Sequence, residues 1–137
     1  MSAFATPLKG MGLAVLLAVP ALGGCAGVPQ PDYRAALVAP CANTSDAYPW
    51  AITDTWADGD KYLPEAQFRA DGVMLYAYDG AKFDNARWSL EGGALAIEMN
   101  GHYADYNASF DGVAASGSMK NTAGNTGTWT LARACED

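Results

Sequence analysis

The stretch ALAIEMNGHYADYNASF, residues 94–110, decides the fold. Leu95, Ile97 and Met99 fall on one face of an extended segment. Further on, Ala104, Tyr106, Ala108 and Phe110 face opposite Tyr103, Asp105, Asn107 and Ser109. Alternation with a period of about two marks a strand that is buried on one side and wet on the other. Between the two runs stands Asn100-Gly101. A dipeptide of that type accepts the positive φ of the tight turns whose twist matches neighbouring antiparallel strands. The stretch therefore predicts an antiparallel hairpin.

Outward from this hairpin the same punctuation recurs roughly every ten residues, at Asp71-Gly72, Asp79-Gly80, Glu91-Gly92-Gly93, Asp111-Gly112 and residues 124–127. The segments between these turns predict strands over Glu65–Arg69, Val73–Tyr78, Lys82–Leu90, Ala94–Met99, His102–Phe110, Val113–Lys120 and Thr128–Ala134, and Trp50–Trp56 precedes them. Sequential strands joined by short turns form a meander. A meander of about eight strands can close on itself and so remove the exposed edges that invite aggregation. The expected class is all-β, a small closed antiparallel barrel. An open sandwich is the alternative, because periodicity assigns faces without telling whether the first and last strands meet. The interior of an eight-stranded barrel is just wide enough to be filled by side chains or to hold one small ligand. The inward set mixes Ala104, Ala108 and Ala115 with Trp88, Tyr106 and Phe110, a small-large alternation that favours a filled interior.

The chain has 137 residues, room for one small core and no second one. Its first eight residues hold no acid, Lys9 is basic, and Met11 to Val28 carry no charge. This is the layout of a secretory signal. A membrane-spanning helix needs about 20 apolar residues with unbroken hydrogen bonding, whereas Pro20, Gly23 and Gly24 interrupt this run. Leu22, Gly23, Gly24 and Cys25 resemble the lipobox of bacterial lipoproteins. That resemblance implies cleavage before Cys25, a diacylglycerol on its thiol, and acyl chains of the palmitate type. Anchoring becomes durable once more than one chain inserts. An ordinary cleaved signal, with Cys25 discarded, is the alternative. In lipoproteins of Gram-negative bacteria a residue other than aspartate after the cysteine, here Ala26, implies transfer from the periplasmic face to the outer membrane.

Three cysteines are present, and an odd number in an exported protein asks for an account of the leftover thiol. If Cys25 carries lipid, Cys41 and Cys135 remain to pair, in a compartment that preserves disulfides. Metal binding is the rival, but two distant cysteines with only His102 as a further soft ligand make no recognisable zinc spacing. The expected organisation is a signal over 1–24, a lipidated cysteine and flexible tether over 25–40, and a barrel over 41–137. Within the tether Asp32 is placed to cap a short helix ending at Val38, before Pro40 stops it.

Trp50 near the start of the domain, with Trp129 and Arg133 in a closing Gly-Thr-Trp-Thr-Leu-Ala-Arg strand, resembles lipocalin-like and avidin-like barrels. The resemblance implies the fold and a closing arginine stacked on the early tryptophan, here Arg133 across Trp50, with an exposed Arg133 as the alternative. Lipocalins place glycine two residues before that tryptophan, where this chain has Tyr48, so no family binding residue is carried over. Trp50, Trp88, Tyr106, Phe110, Trp129 and Arg133 are the candidate pocket or core residues, since aromatics serve either role.

No catalytic constellation emerges. His102 is the single imidazole, and in a strand it would point away from Asp105 and Ser109. Asp54, Asp58, Asp60 and Glu65 supply oxygens of the kind calcium favours. Their spacing does not fit an EF-hand, and a solvated aspartate-rich turn is the plainer account. No motif calls for a cofactor. Of eight basic residues only Lys9 precedes the cut, so the mature chain would carry seven against fifteen acidic ones. That balance excludes nucleic acid as a natural partner and suits a basic one. The expected role is a non-enzymatic binding or structural module of the envelope, with the membrane met through lipid and a small apolar ligand or a basic protein as partner. The alternative is an inhibitor of an envelope-active hydrolase, such as lysozyme or a protease. The serine-glycine and tyrosine pattern of barrel-type lysozyme inhibitors is absent around Ser116, Gly117 and Ser118.

Overall fold

A computed structural model describes residues 32–42 and 48–135. The segment read on the sequence as a signal, Leu22 to Cys25, and the residues up to Pro31 lie outside the described residues. The chain enters the fold at α1, Tyr33–Val38. The Asp32 carboxylate accepts from the Ala35 backbone N–H at 2.9 Å, satisfying one of the donors that a helix start leaves free. Ala39 is already extended, with ψ at 129°, as a residue before proline is biased to be. Leu37 is fully buried and Tyr33 meets Phe110 edge-on. Within the segment read on the sequence as a tether, α1 thus packs on the barrel as part of the same compact unit, which begins at Asp32.

Nine strand segments follow: β1 Trp50–Trp56, β2 Lys61–Tyr62, β3 Glu65–Phe68, β4 Val73–Tyr78, β5 Ala81–Glu91, β6 Ala94–Met99, β7 Ala104–Phe110, β8 Ala114–Asn121 and β9 Thr126–Arg133. All neighbours are antiparallel, and β1 pairs with β9 from Trp50 opposite Arg133 to Trp56 opposite Gly127. The barrel is closed, and the sandwich alternative falls. β2 and β3 both lie against β1, with Asp54 opposite Tyr62 and Trp50 opposite Ala66. They are one strand interrupted at Leu63-Pro64. Proline has no N–H to give the ladder, while the Pro64 carbonyl still accepts from Ile52 N–H at 2.9 Å. Nine segments therefore make an eight-stranded barrel.

Two departures from the expected strands have local causes. β7 begins at Ala104 rather than His102, because Asn100, Gly101 and His102 all have positive φ, a region that a strand cannot pass through. The β4–β5 register shifts between Met74 and Tyr76, a bulge on β5 that re-aims Asn85. At Gly117 a Cβ would stand 1.8 Å from the Asn107 carbonyl oxygen, so β7 and β8 approach too closely there for any side chain.

One end of the barrel is solid. Trp50, Ile52, Phe68, Leu95, Phe110 and Leu131 are all almost fully buried, and Trp50 meets Phe110 edge-on at 5.6 Å. The Trp50 indole N–H donates to the Leu37 carbonyl at 2.9 Å, which ties α1 across this end. Arg34 lies over Trp88 with its guanidinium carbon 4.5 Å from the ring centre. The expected Arg133 contact is present: its guanidinium carbon lies 5.2 Å from the Trp50 ring centre. Its two terminal nitrogens donate to the Ala39 and Pro40 carbonyls at 2.8 Å each. Arg133→Ala removes a cation-π contact and two charge-assisted hydrogen bonds, so it is expected to destabilise the domain by about 2 kcal/mol. A thermal melt followed by circular dichroism checks this; a midpoint equal to that of the unaltered protein refutes it. Cys41 and Cys135 form a disulfide spanning 94 residues of sequence.

Candidate ligand-binding site

The other end of the barrel is open, and its chemistry starts from the alternation of β1. Trp50, Ile52 and Asp54 share the inward face, so an aspartate projects where the pattern would otherwise place an apolar side chain. Asp54 is 4% exposed. It does not belong to the solvated aspartate turn in which the sequence reading placed it: the inward register of β1 carries it under the barrel mouth. Its Oδ2 accepts from the Tyr106 hydroxyl at 2.7 Å, and Oδ1 has no partner among the described residues. Burial pushes the carboxyl up to about 6, against the Tyr106 hydrogen bond that lowers it. At neutral pH Asp54 is therefore mostly ionised, a buried carboxylate with half of its accepting capacity unused. The Tyr106 hydroxyl is pushed up in turn, first by burial and then by the Asp54 charge.

Above Asp54 opens a cavity of about 540 Å³, in the size range of small-molecule sites. Its walls are aromatic. Tyr62 from β2 and Tyr78 from β4 meet edge-on with ring centres 5.5 Å apart. Tyr76 stacks on Phe83 at 5.0 Å. The Tyr76 hydroxyl donates to Asn85 Oδ1 at 2.7 Å, and Asn85 Nδ2 donates to Asn100 Oδ1 at 3.1 Å. The bulge on β5 thus fixes the Tyr76 ring. Trp56 and Met99 add apolar wall, and Tyr103 stands at the mouth. The rim is polar. Asp58 and Asp60 come from the β1–β2 turn, where the Asp58 carboxylate accepts from the Asp60 N–H at 2.9 Å. Asn121 ends β8 and Asn125 comes from the β8–β9 turn, where the backbone N–H groups of Ala123 and Asn125 donate to Asn121 Oδ1 at 3.0 Å.

Of the six residues singled out on the sequence, Tyr106 alone lines this cavity. Trp50, Trp88, Phe110 and Trp129 are buried in the wall and the solid end, and Arg133 lies over Trp50. Tyr62, Tyr76, Tyr78 and Tyr103 were missed: Tyr62 and Tyr78 end their strands and Tyr103 stands in a turn, positions at which a tyrosine reads as surface. Asp54 had one available signal, its two-residue spacing from Ile52. His102 is exposed on the turn after β6, with Nδ1 2.8 Å from Glu98 Oε2. Among the described residues no group of three or more His, Cys, Asp or Glu side chains is arranged to hold a metal. No helix among them is long and apolar enough to cross a membrane.

No family model matches the chain, and no curated protein matches it. Among solved structures it is similar to a redesigned β-barrel, at 17% identity over 74% of this chain and 96% of that one, with a TM-score of 0.45.

Proposed function

We propose that this chain is a lipid-anchored lipoprotein of the outer membrane, without catalytic activity, whose barrel is a binding module that takes a small ligand at its tyrosine-lined mouth. The observation that carries the binding role is Asp54, a buried carboxylate with an unpartnered oxygen under a cavity of about 540 Å³. A buried acceptor left without a donor costs stability, and a ligand that supplies the donor would offset that cost. The anchor is supported by Leu22-Gly23-Gly24-Cys25 and by the pairing of Cys41 with Cys135, which leaves Cys25 as the odd cysteine.

Titration of the folded domain with an environment-sensitive apolar dye tests the module, read by dye emission and by tryptophan fluorescence. Saturable uptake at one site is expected, and a response that never saturates removes the reading. Mass spectrometry of protein taken from membranes tests the anchor. An acylated chain beginning at Cys25 is expected; a mature form that starts elsewhere or lacks the acyl mass overturns it.

The inhibitor reading draws support from the mouth as well, where Asp58 and Asp60 line the cavity with the exposed Tyr78 and Tyr103, a rim suited to a basic protein. Salt-sensitive inhibition of lysozyme at nanomolar protein would favour it, and unchanged lysozyme activity at micromolar protein would count against it.

A further inference from the structure

We infer that the ligand of this cavity is a primary amine, bound as the ammonium against the Asp54 carboxylate with an apolar body among the tyrosine rings; the inference rests on the cavity being a ligand site. Three observations carry it.

The first is the unmatched acceptor. Asp54 is 4% exposed and its Oδ1 accepts nothing, while the nearby hydroxyls are already committed: Tyr106 donates to Oδ2 and Tyr76 donates to Asn85. Among the described residues no side chain of the barrel donates to Oδ1, which leaves that oxygen for a donor carried by a ligand.

The second is the sign of the charge. The cavity is lined by Asp54, Asp58 and Asp60, and no lysine or arginine is among its lining residues. An anion meets repulsion on entry and finds no counter-charge inside. A cation meets carboxylates at the rim and again beneath, among the electron-rich rings of Tyr62, Tyr76, Tyr78 and Tyr103.

The third is the shape of the acceptor. A guanidinium is a planar fork suited to two carboxylate oxygens at once, but here Oδ2 is occupied by Tyr106. A quaternary ammonium has no N–H for Oδ1. A primary ammonium is a compact charge with three donors, able to give one to Oδ1 and others to the hydroxyl and amide oxygens around it. Trp56 and Met99 leave an apolar wall for the body that carries it.

Calorimetric titration of the folded protein in neutral buffer, using probes of one shape and different heads, tests this. The probes are phenethylammonium, 2-phenylethanol, phenethyl-trimethylammonium and 3-phenylpropanoate, and each is run on the unaltered protein and on Asp54→Asn. Phenethylammonium is expected to bind at least about ten-fold more tightly than the alcohol and the quaternary analogue, the scale of one hydrogen bond to a charged group. The carboxylate should not bind. Asp54→Asn should lower phenethylammonium affinity by about the same factor, and dye uptake is read on the unaltered protein. An alcohol or carboxylate that matches the ammonium, or an Asp54→Asn protein that binds the ammonium unchanged, overturns the inference while dye uptake keeps the ligand site. Failure of the dye as well removes the site itself. A further arm with Nα-acetyl-lysine methylamide separates the two sources of such a head group: tighter binding than phenethylammonium points to a lysine side chain of a protein, and weaker binding to a free amine.

Discussion

Replacing Cys41 and Cys135 by serine is expected to lower the stability of the domain by about 4–5 kcal/mol. The bridge closes a loop of 94 residues, and in the chain-entropy account a loop of that size restricts the unfolded chain to this extent. The folded barrel changes little. β1 and β9 still pair along seven residues, and Arg133 still holds the carbonyls of Ala39 and Pro40. The loss arises in the unfolded ensemble, which gains freedom the bridge had denied it. Small domains hold only about 5–15 kcal/mol in all, so much of the folded population would be lost on modest heating. Urea unfolding of the double variant checks the result. A midpoint equal to that of the bridged protein, or a bridged protein whose midpoint ignores reductant, counts against it.

Asp54→Asn is expected to act in the opposite direction, stabilising the protein at neutral pH by up to about 3 kcal/mol. In the unfolded chain the carboxyl titrates near 3.8, and in the barrel near 6. Below both values it is neutral in both states. Between them the folded protein keeps a proton that the unfolded chain has released, so stability falls as pH rises. Above about 6 the full penalty stands, and about two pH units of separation correspond to about 3 kcal/mol. Asparagine stays neutral throughout, and its amide oxygen can still accept from the Tyr106 hydroxyl. Asp71 and Asp111 work the other way. Backbone N–H groups at Val73 and at Ala114 and Val113 hold their carboxyls below the usual range, so their contribution is lost on further acidification. Stability of the unaltered protein should therefore peak in mildly acidic solution, with a decline between about pH 4 and 6 that Asp54→Asn lacks. Urea midpoints across pH for both proteins check this, and parallel profiles would refute it.

Leu95, Ile97 and Met99 stand opposite Ala108, Tyr106 and Ala104, and the alternation of these residues with polar ones suffices for the β6–β7 hairpin because burial acts on every second residue. The Asp32 cap and the Pro40 stop are likewise local chemistry, and α1 follows from them. The cavity is not local. Tyr62, Tyr76, Tyr103 and Tyr106 come from separate strands and turns, and their convergence depends on how far each strand is staggered around the ring. Asp54 is harder still, since an aspartate four residues before Asp58-Gly59-Asp60 reads as part of their turn. Its spacing of two from Ile52 is the one local sign that it turns inward, where it stands opposite Trp129 of β9. The two-residue β2 is too short to carry a periodic signal.

Leu63 and Pro64 leave the panel beside Tyr62 stitched to β1 by two residue pairs, where β9 holds the other flank of β1 by seven. Local unfolding starts where the ladder is thinnest. Amide protons around Lys61 and Tyr62 should thus exchange with solvent ahead of those in β8 and β9. The panel that breathes is the one nearest the buried carboxylate, so a guest's residence time would be governed by that seam while the remaining staves keep their curvature.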